Sequence, residues 1–114
     1  MKRSASAVWQ GGLKDGKGTV SSESGAFTNK PYNFRMRFED EKGTNPEELI
    51  AAAHAACFSM ALSLFLGNAG MTAQSIETGC TVTLEQVDGA FTVTSSHLDT
   101  TVRKIGRASC RERV

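Results

Sequence analysis

The feature that most constrains this sequence is the uncharged run Leu49–Leu66, which contains no Asp, Glu, Lys or Arg. Strong helix-start signals stand directly before it. Asn45 can cap a helix, and Pro46 suits the first helical position, where its missing N–H costs nothing. Glu47 and Glu48 fill the first turn, where the helix dipole favours negative charge. The sequence therefore predicts one long helix beginning at Pro46.

This helix should extend to about Leu66, because Gly67 is a natural C-terminal stop. It is apolar nearly all round, which predicts a buried core helix surrounded by sheet and by a partner subunit. A transmembrane span is the alternative, since the length of the run reaches the lower limit for one. The alanines and the polar residues His54, Ser59 and Ser63 favour the core helix.

The flanking segments have the pattern of antiparallel strands. Strands are predicted at Ala5–Trp9, Gly18–Ser22, Asn33–Phe38, Ile76–Glu85 and Ala90–Leu98. In Asn33–Phe38, the aromatic face should pack inward, and Arg35 and Arg37 should leave from the other face. Asp88-Gly89 is a hairpin signal. Strands, one long helix and more strands indicate an α+β domain.

Composition excludes some classes of partner. The net charge of +1 gives no electrostatic reason to expect nucleic acid or an anionic membrane. The N-terminal residues contain no apolar run of the kind found in secretory signals, which favours the cytoplasm. In that compartment the three cysteines would stay reduced, so they serve chemistry or the core and do not form disulfide bonds.

The segment Lys104–Val114, KIGRASCRERV, does not continue the strand pattern before it. It resembles the translated read-through of a sequencing adapter, and we exclude it from the prediction of fold and function. The expected organisation is therefore an incomplete domain over residues 1–103, whose C-terminal part is missing, followed by a foreign tail over residues 104–114.

Cys57 stands in the middle of the predicted helix. A buried helical cysteine is commonly a small hydrophobic residue and nothing more. A reactive one needs a cation or hydrogen bonds to stabilise its thiolate, and a carboxylate or base nearby. The sequence offers Arg35 and Arg37 just before the helix, and Glu47 and Glu48 at its start. The residues alone leave both interpretations open.

The stretch Asn45–Leu62, NPEELIAAAHAACFSMAL, closely resembles the osmotically inducible protein C (OsmC) family, and weaker similarity covers essentially all of residues 1–103. The related organic hydroperoxide resistance (Ohr) proteins share the arrangement. The resemblance implies an OsmC/Ohr-like fold and a homodimer with sites near the subunit interface. It also implies a peroxidase that reduces organic hydroperoxides, and hydrogen peroxide less well, in oxidative and osmotic stress defence. The implied reductant is a dithiol such as a lipoylated protein, and no metal or organic cofactor is needed.

Carried over by position, the resemblance makes Cys57 the peroxidatic cysteine and Glu47 the site carboxylate. Arg37 is our choice for the guanidinium that stabilises the thiolate, with Arg35 as its rival. Ten residues on one helix separate Glu47 from Cys57 by about 280° of rotation and roughly 15 Å of length. Either the helix breaks between them or the site combines two chains.

The sequence also departs from the family pattern. The resolving cysteine of the family lies in a later segment that is absent here, and Cys110 belongs to the adapter-like tail. The family cycle, in which the resolving cysteine forms a disulfide with the oxidised peroxidatic cysteine, is therefore expected to stay incomplete in this truncated chain. Cys80 is predicted to pack in the core, because it shares an apolar strand face with Val82 and Leu84. His54, one turn before Cys57, is predicted to be packed or hydrogen-bonded, with a base role as the alternative. The competing function is a non-catalytic module that binds a small molecule or senses redox state.

Overall fold

The structure is a computed structural model that describes residues 1–103 and 105–107. The chain divides into two compact units, Met1–Leu49 and Ile50–Val114. In chain order, the elements are β1 Ala5–Gln10, β2 Lys17–Ser22, β3 Lys30–Tyr32, α1 Phe34–Phe38, α2 Pro46–Asn68, β4 Met71–Thr72, β5 Ser75–Val87, β6 Ala90–Arg103 and β7 Gly106–Arg107. The predicted α+β class with antiparallel strands is confirmed.

In the first unit, β1, β2 and β3 form an antiparallel sheet in that order. The first two predicted strands are confirmed to within one residue at their ends. Gly18 lies opposite Trp9 and Tyr32 in the sheet, where a Cβ atom would come within 2.6 Å and 2.7 Å of their rings. Only glycine leaves room for these two rings, whose centroids are 5.4 Å apart.

The prediction of a strand over Asn33–Phe38 is wrong, because these residues form the short helix α1. The Asn33 side chain accepts a hydrogen bond from the Met36 N–H at 2.9 Å and caps the helix. The apolar spacing also fits a helix, since Phe34 and Phe38 stack on one face with ring centroids 5.0 Å apart. Residues two apart on a helix differ by about 200°, so Arg35 and Arg37 do not share a face.

Helix α2 begins at Pro46 as predicted, with Asn45 as its cap: the Glu48 N–H donates to Asn45 Oδ1 at 2.8 Å. The predicted end is two residues too early. Gly67 lies inside the last turn, and the left-handed residue that follows the helix is Gly70, with φ of 77°. Its N–H donates to the Gly67 carbonyl at 2.9 Å.

The prediction that α2 is buried is wrong for a single chain. No residue of α2 is buried, and Met60, Leu64 and Phe65 are 78%, 62% and 67% exposed. A two-stranded hairpin is about 5 Å from strand to strand and cannot surround a helix about 10 Å wide. By length and composition alone, α2 is also apolar enough to cross a membrane.

In the second unit, β5 and β6 form a long antiparallel hairpin. Asp88 and Gly89 join them with φ values of 51° and 80°, the left-handed pair that suits the twist of a two-residue hairpin turn. Strand β6 continues to Arg103, beyond the predicted Leu98. A bulge leaves Thr94 unpaired, because Thr83 pairs with Ser95 and the next residue, Leu84, pairs with Val93.

Part of the predicted foreign tail has structure. Gly106 and Arg107 form β7, which pairs with β4 in a small antiparallel sheet. Lys104 and residues 108–114, including Cys110, lie outside the described residues. The assignment of residues 104–114 as a foreign tail stays a prediction.

The turn geometry predicts a conformational cost at Gly89 that is independent of side-chain contacts. Gly89→Ala should lower the free energy of unfolding by about 1 kcal/mol, because alanine resists positive φ. Gly79→Ala in β5 is the matched control, since a Cβ atom meets nothing within 4 Å at either glycine and Gly79 has no positive φ. Urea denaturation of both variants measures the difference, and equal stabilities would contradict the turn assignment.

Candidate active site

An ion pair between Arg37 and Glu47 is the centre of the candidate site. Arg37 Nε donates to Glu47 Oε1 at 3.2 Å, and Nη2 donates to Oε2 at 3.1 Å. The side chains are 34% and 13% exposed. Paired, parallel N–H···O bonds of this kind fix the plane of the guanidinium as well as its position. The structure thus brings together two of the three predicted site residues.

Asn45 holds the two elements that carry this ion pair. Its Oδ1 accepts from the Glu48 N–H, and its Nδ2 donates to Glu48 Oε2 at 2.7 Å and to the Met36 carbonyl at 3.4 Å. One amide side chain therefore caps α2 and contacts α1. Because the cap fixes Glu47 in the first turn of α2, it places the carboxylate beside Arg37.

The structure distinguishes between the two candidate arginines. Arg35 Nη2 lies 3.5 Å from Glu41, and its side chain is 65% exposed. Arg37 makes the two-bond contact with Glu47, and its Cζ also lies 5.2 Å from the centroid of the Phe38 ring. The arginine that contacts the predicted carboxylate is therefore Arg37, as the sequence analysis favoured.

A cavity of about 210 Å³ adjoins Arg37 within the first unit. Its walls come from β1, the following turn, β3 and α1. The lining side chains include Trp9, Leu13, Tyr32, Phe34 and Phe38, together with Arg37. A cationic group at the edge of an aromatic cavity can bind an anionic or polar oxygen while the cavity takes an apolar group.

Cys57 is an exposed free thiol on α2, ten residues after Glu47. The helix is continuous from Pro46 to Asn68. The break that was one of the two options for bringing Glu47 and Cys57 together is therefore absent. The ion pair belongs to the first unit and Cys57 to the second.

Cys80 lies on the predicted face of β5 and is half-buried, but its surroundings are polar. Its Sγ lies 3.2 Å from Ser96 Oγ and 3.7 Å from His54 Nδ1. His54 Nδ1 and Ser96 Oγ are 2.6 Å apart, which confirms that the histidine is hydrogen-bonded. No cluster of three or more metal-ligating His, Cys, Asp or Glu side chains occurs among the described residues.

Comparison with known proteins decides the family. A family model described as "OsmC-like protein" matches residues 39–111. The chain belongs to the OsmC-like family. Glu47 and Cys57 lie inside the matched segment, and Arg37 lies two residues before it.

Two relatives support this assignment. The chain is 60% identical over 96 residues to peroxiredoxin OsmC of Escherichia coli strain K12, an alignment that covers 84% of this chain and 67% of the relative. The values for peroxiredoxin OsmC of Shigella flexneri are the same. The predicted resemblance to the family is confirmed.

The fold is also similar to a solved structure of the same group. The organic hydroperoxide resistance protein OhrB of Bacillus subtilis matches with a TM-score of 0.67 and 26% identity. The match covers 96% of this chain and 78% of OhrB. It confirms the predicted OsmC/Ohr-like fold, while the roles of Cys57, Glu47 and Arg37 stay predictions.

The position of Asn45 predicts a cost for its removal. Asn45→Ala should lower the free energy of unfolding by about 1 kcal/mol, because the first turn of α2 loses a hydrogen-bond acceptor. Asn68→Ala at the other end of the same helix should change it by less than about 0.5 kcal/mol. Chemical denaturation followed by circular dichroism compares the two, and an equal loss from both variants would show that Asn45 has no special capping role.

Proposed function

We propose that this chain is a thiol peroxidase that reduces organic hydroperoxides, and hydrogen peroxide less well, with Cys57 as the peroxidatic residue. Membership of the OsmC-like family and 60% identity to proteins named peroxiredoxin support the activity. The single structural observation that carries the proposal is the two-bond contact of Arg37 with Glu47. It provides a fixed cation of the kind that a peroxidatic thiolate requires.

The chemical step needs a thiolate and a polarised peroxide. The Cys57 sulfur attacks the terminal oxygen of the hydroperoxide, the O–O bond breaks, and the alkoxide leaves and takes a proton to become an alcohol. The sulfur is oxidised to a sulfenic acid. Arg37 stabilises the thiolate and the negative charge that develops on the leaving oxygen. Glu47 is a positioning residue that orients the guanidinium.

The site is completed by a second copy of the chain. Because α2 is unbroken, Glu47 and Cys57 of one chain stand far apart along one helix. The exposed apolar residues Met60, Leu64 and Phe65 give α2 a surface that a homodimer would cover. In this arrangement the Arg37–Glu47 pair of one copy serves Cys57 of the other.

The cavity beside Arg37 favours organic substrates. Its aromatic walls would hold the carbon skeleton of an alkyl or aryl hydroperoxide while the peroxide oxygens contact the guanidinium. Hydrogen peroxide has no such group, so it gains nothing from these walls. The expected preference for organic hydroperoxides follows from this difference.

The sulfenic acid must be reduced before a second turnover. One thiol of a dithiol attacks the sulfur, a mixed disulfide forms and water leaves. The other thiol of the same dithiol then attacks that disulfide, releases the Cys57 thiol and closes the disulfide of the reductant. A dithiol such as a lipoylated protein supplies these groups in the proposed cycle. The resemblance supports this reductant and a role in oxidative and osmotic stress defence, and we place the proposed cycle in the cytoplasm.

Cys57→Ser should reduce turnover of cumene hydroperoxide with dithiothreitol to the uncatalysed rate, because serine cannot form the sulfenic acid. Cys110→Ser is the control, since it also removes one thiol but leaves the helix unchanged. Peroxide consumption measures the effect. Turnover that survives in Cys57→Ser would show that the proposed role of Cys57 is wrong. Saturable binding of the peroxide without any turnover of the parent chain would favour the non-catalytic alternative.

Arg37→Lys should lower the rate of Cys57 oxidation at least about tenfold, because lysine cannot reproduce the two parallel bonds to Glu47. Arg35→Lys should leave the rate unchanged, since Arg35 is a mainly exposed residue paired with Glu41. Stopped-flow measurement of sulfenic acid formation compares the variants. Equal losses from the two lysine variants would exclude a specific role for Arg37.

A further inference from the structure

Cys80, His54 and Ser96 form a second group of reactive side chains that the peroxidatic site does not use. The three residues come from β5, α2 and β6, all within the second unit. Their polar atoms lie within 2.6 to 3.7 Å of one another. We call this group the Cys80 cluster.

The distances describe a path for a proton. Cys80 Sγ lies 3.2 Å from Ser96 Oγ, and Ser96 Oγ lies 2.6 Å from His54 Nδ1. If the Cys80 thiol donates to the Ser96 hydroxyl and that hydroxyl donates to His54 Nδ1, the three groups form a continuous chain of two hydrogen bonds. A proton that moves along this path leaves a thiolate on Cys80, a hydrogen bond from Ser96 to that thiolate, and an imidazolium on His54.

A cysteine that only fills space does not have such neighbours. Structural cysteines act as small hydrophobic groups among apolar atoms. Reactive cysteines pair with a base that is held within hydrogen-bond reach. The Cys80 face of β5 carries Ile76, Val82 and Leu84 together with Thr78, which bonds to Ser59 and Thr100. On the polar side of Cys80 itself, the sulfur contacts Ser96 and His54. That polar side is also the open one, because Ser96 is exposed and Cys80 is only half-buried.

We propose that the Cys80 cluster is a second site of thiol modification, at which an organic hydroperoxide oxidises Cys80 and a small monothiol then caps it. In the first step, the Cys80 thiolate attacks the terminal peroxide oxygen. The O–O bond breaks, a sulfenic acid forms, and the alkoxide takes the proton held by His54. In the second step, the monothiol attacks the sulfenic sulfur, an S–S bond forms and water leaves.

This site differs from the peroxidatic one in its physical basis. The Cys80 thiolate depends on a neutral base and a hydroxyl, whereas the proposed Cys57 site depends on the permanent cation Arg37. Oxidation of Cys80 therefore does not require Cys57, Arg37 or a second copy of the chain. The product is a mixed disulfide with a small thiol, which blocks Cys80 until a reductant removes it.

The test uses the full chain with Cys57→Ser and Cys110→Ser, so that Cys80 is the only remaining thiol among the three cysteines. Cumene hydroperoxide is the oxidant, dimedone traps the sulfenic acid, and 2-mercaptoethanol serves as the monothiol in a parallel reaction. Mass spectrometry of the digested protein should find the dimedone adduct and the mixed disulfide on the Cys80 peptide. The same peptide is followed in the unchanged chain, so the result does not depend on the folding of the double variant.

Matched substitutions separate a proton path from general structural damage. His54→Asn and Ser96→Ala should each slow trapping of Cys80 at least about tenfold, as expected when an acid–base group is removed. His97→Asn and Ser95→Ala are the controls, because these residues pair with Thr81 and Thr83 on the opposite face of the hairpin. Ser96→Thr keeps the hydroxyl and should restore the rate.

The outcomes decide the proposal independently of the peroxidase assignment. Slow trapping in His54→Asn and Ser96→Ala, normal trapping in the two controls and recovery in Ser96→Thr would support it. Absence of an adduct on Cys80, equal rates in the test and control variants, or a slow Ser96→Thr variant would overturn it. The rates of Cys80 trapping should be the same whether or not Cys57→Ser loses peroxidase turnover.

Discussion

The cap that Asn45 places on α2 is the interaction on which the candidate site depends. A helix start fixes the rotation of every residue that follows, so capping at Asn45 determines where Glu47 points. The same side chain reaches the Met36 carbonyl and thus contacts the helix that carries Arg37. The contact between a carboxylate and a guanidinium therefore rests on one amide group that contributes no chemistry of its own. Because α2 starts at the Asn45 cap, Glu47 also lies near the positive end of the helix dipole, which favours the negative charge of the carboxylate.

Strong local signals in the sequence predicted much of this structure. Asn45-Pro46 gave the start of α2, and Asp88-Gly89 gave the hairpin turn, because each pair fixes backbone geometry without help from distant residues. The strand prediction for Asn33–Phe38 was wrong because a segment of six residues can fit both a strand period and a helix period. Phe34 and Phe38 fit both the alternation of a strand and one turn of a helix. The capping residue Asn33 was the available signal, and its hydrogen bond to Met36 outweighed the alternation.

Contacts between distant residues could not be predicted in this way. The Arg37–Glu47 pair followed from a family resemblance, and nothing in the residue spacing distinguished Arg37 from Arg35. Ser96 was missed entirely, since it is 42 positions from His54 and its nearness to Cys80 depends on the register of β5 and β6. The register in turn depends on the bulge at Thr94, which shifts the pairing by one residue between Ser95 and Val93. Without this one-residue shift, the Ser96 hydroxyl would lie on the opposite face of the hairpin from the Cys80 thiol.

The exposure of α2 and the different surroundings of Cys57 and Cys80 have one cause: the β5–β6 hairpin covers only part of the helix. The uncharged run Leu49–Leu66 of α2 needs cover on all sides, and within the second unit the β5–β6 hairpin can provide it on one side only. The side that faces the hairpin carries polar contacts: Ser59 donates to Thr78 at 2.7 Å, and His54 meets Ser96. Cys80 therefore receives its polar neighbours from within one chain. Cys57 is exposed on the same helix, and the cation that we propose for it is Arg37 of a second copy of the chain. The proposed difference between the two thiols, one with polar neighbours on its own hairpin and one with a cation from a second copy, follows from how little of α2 the hairpin covers.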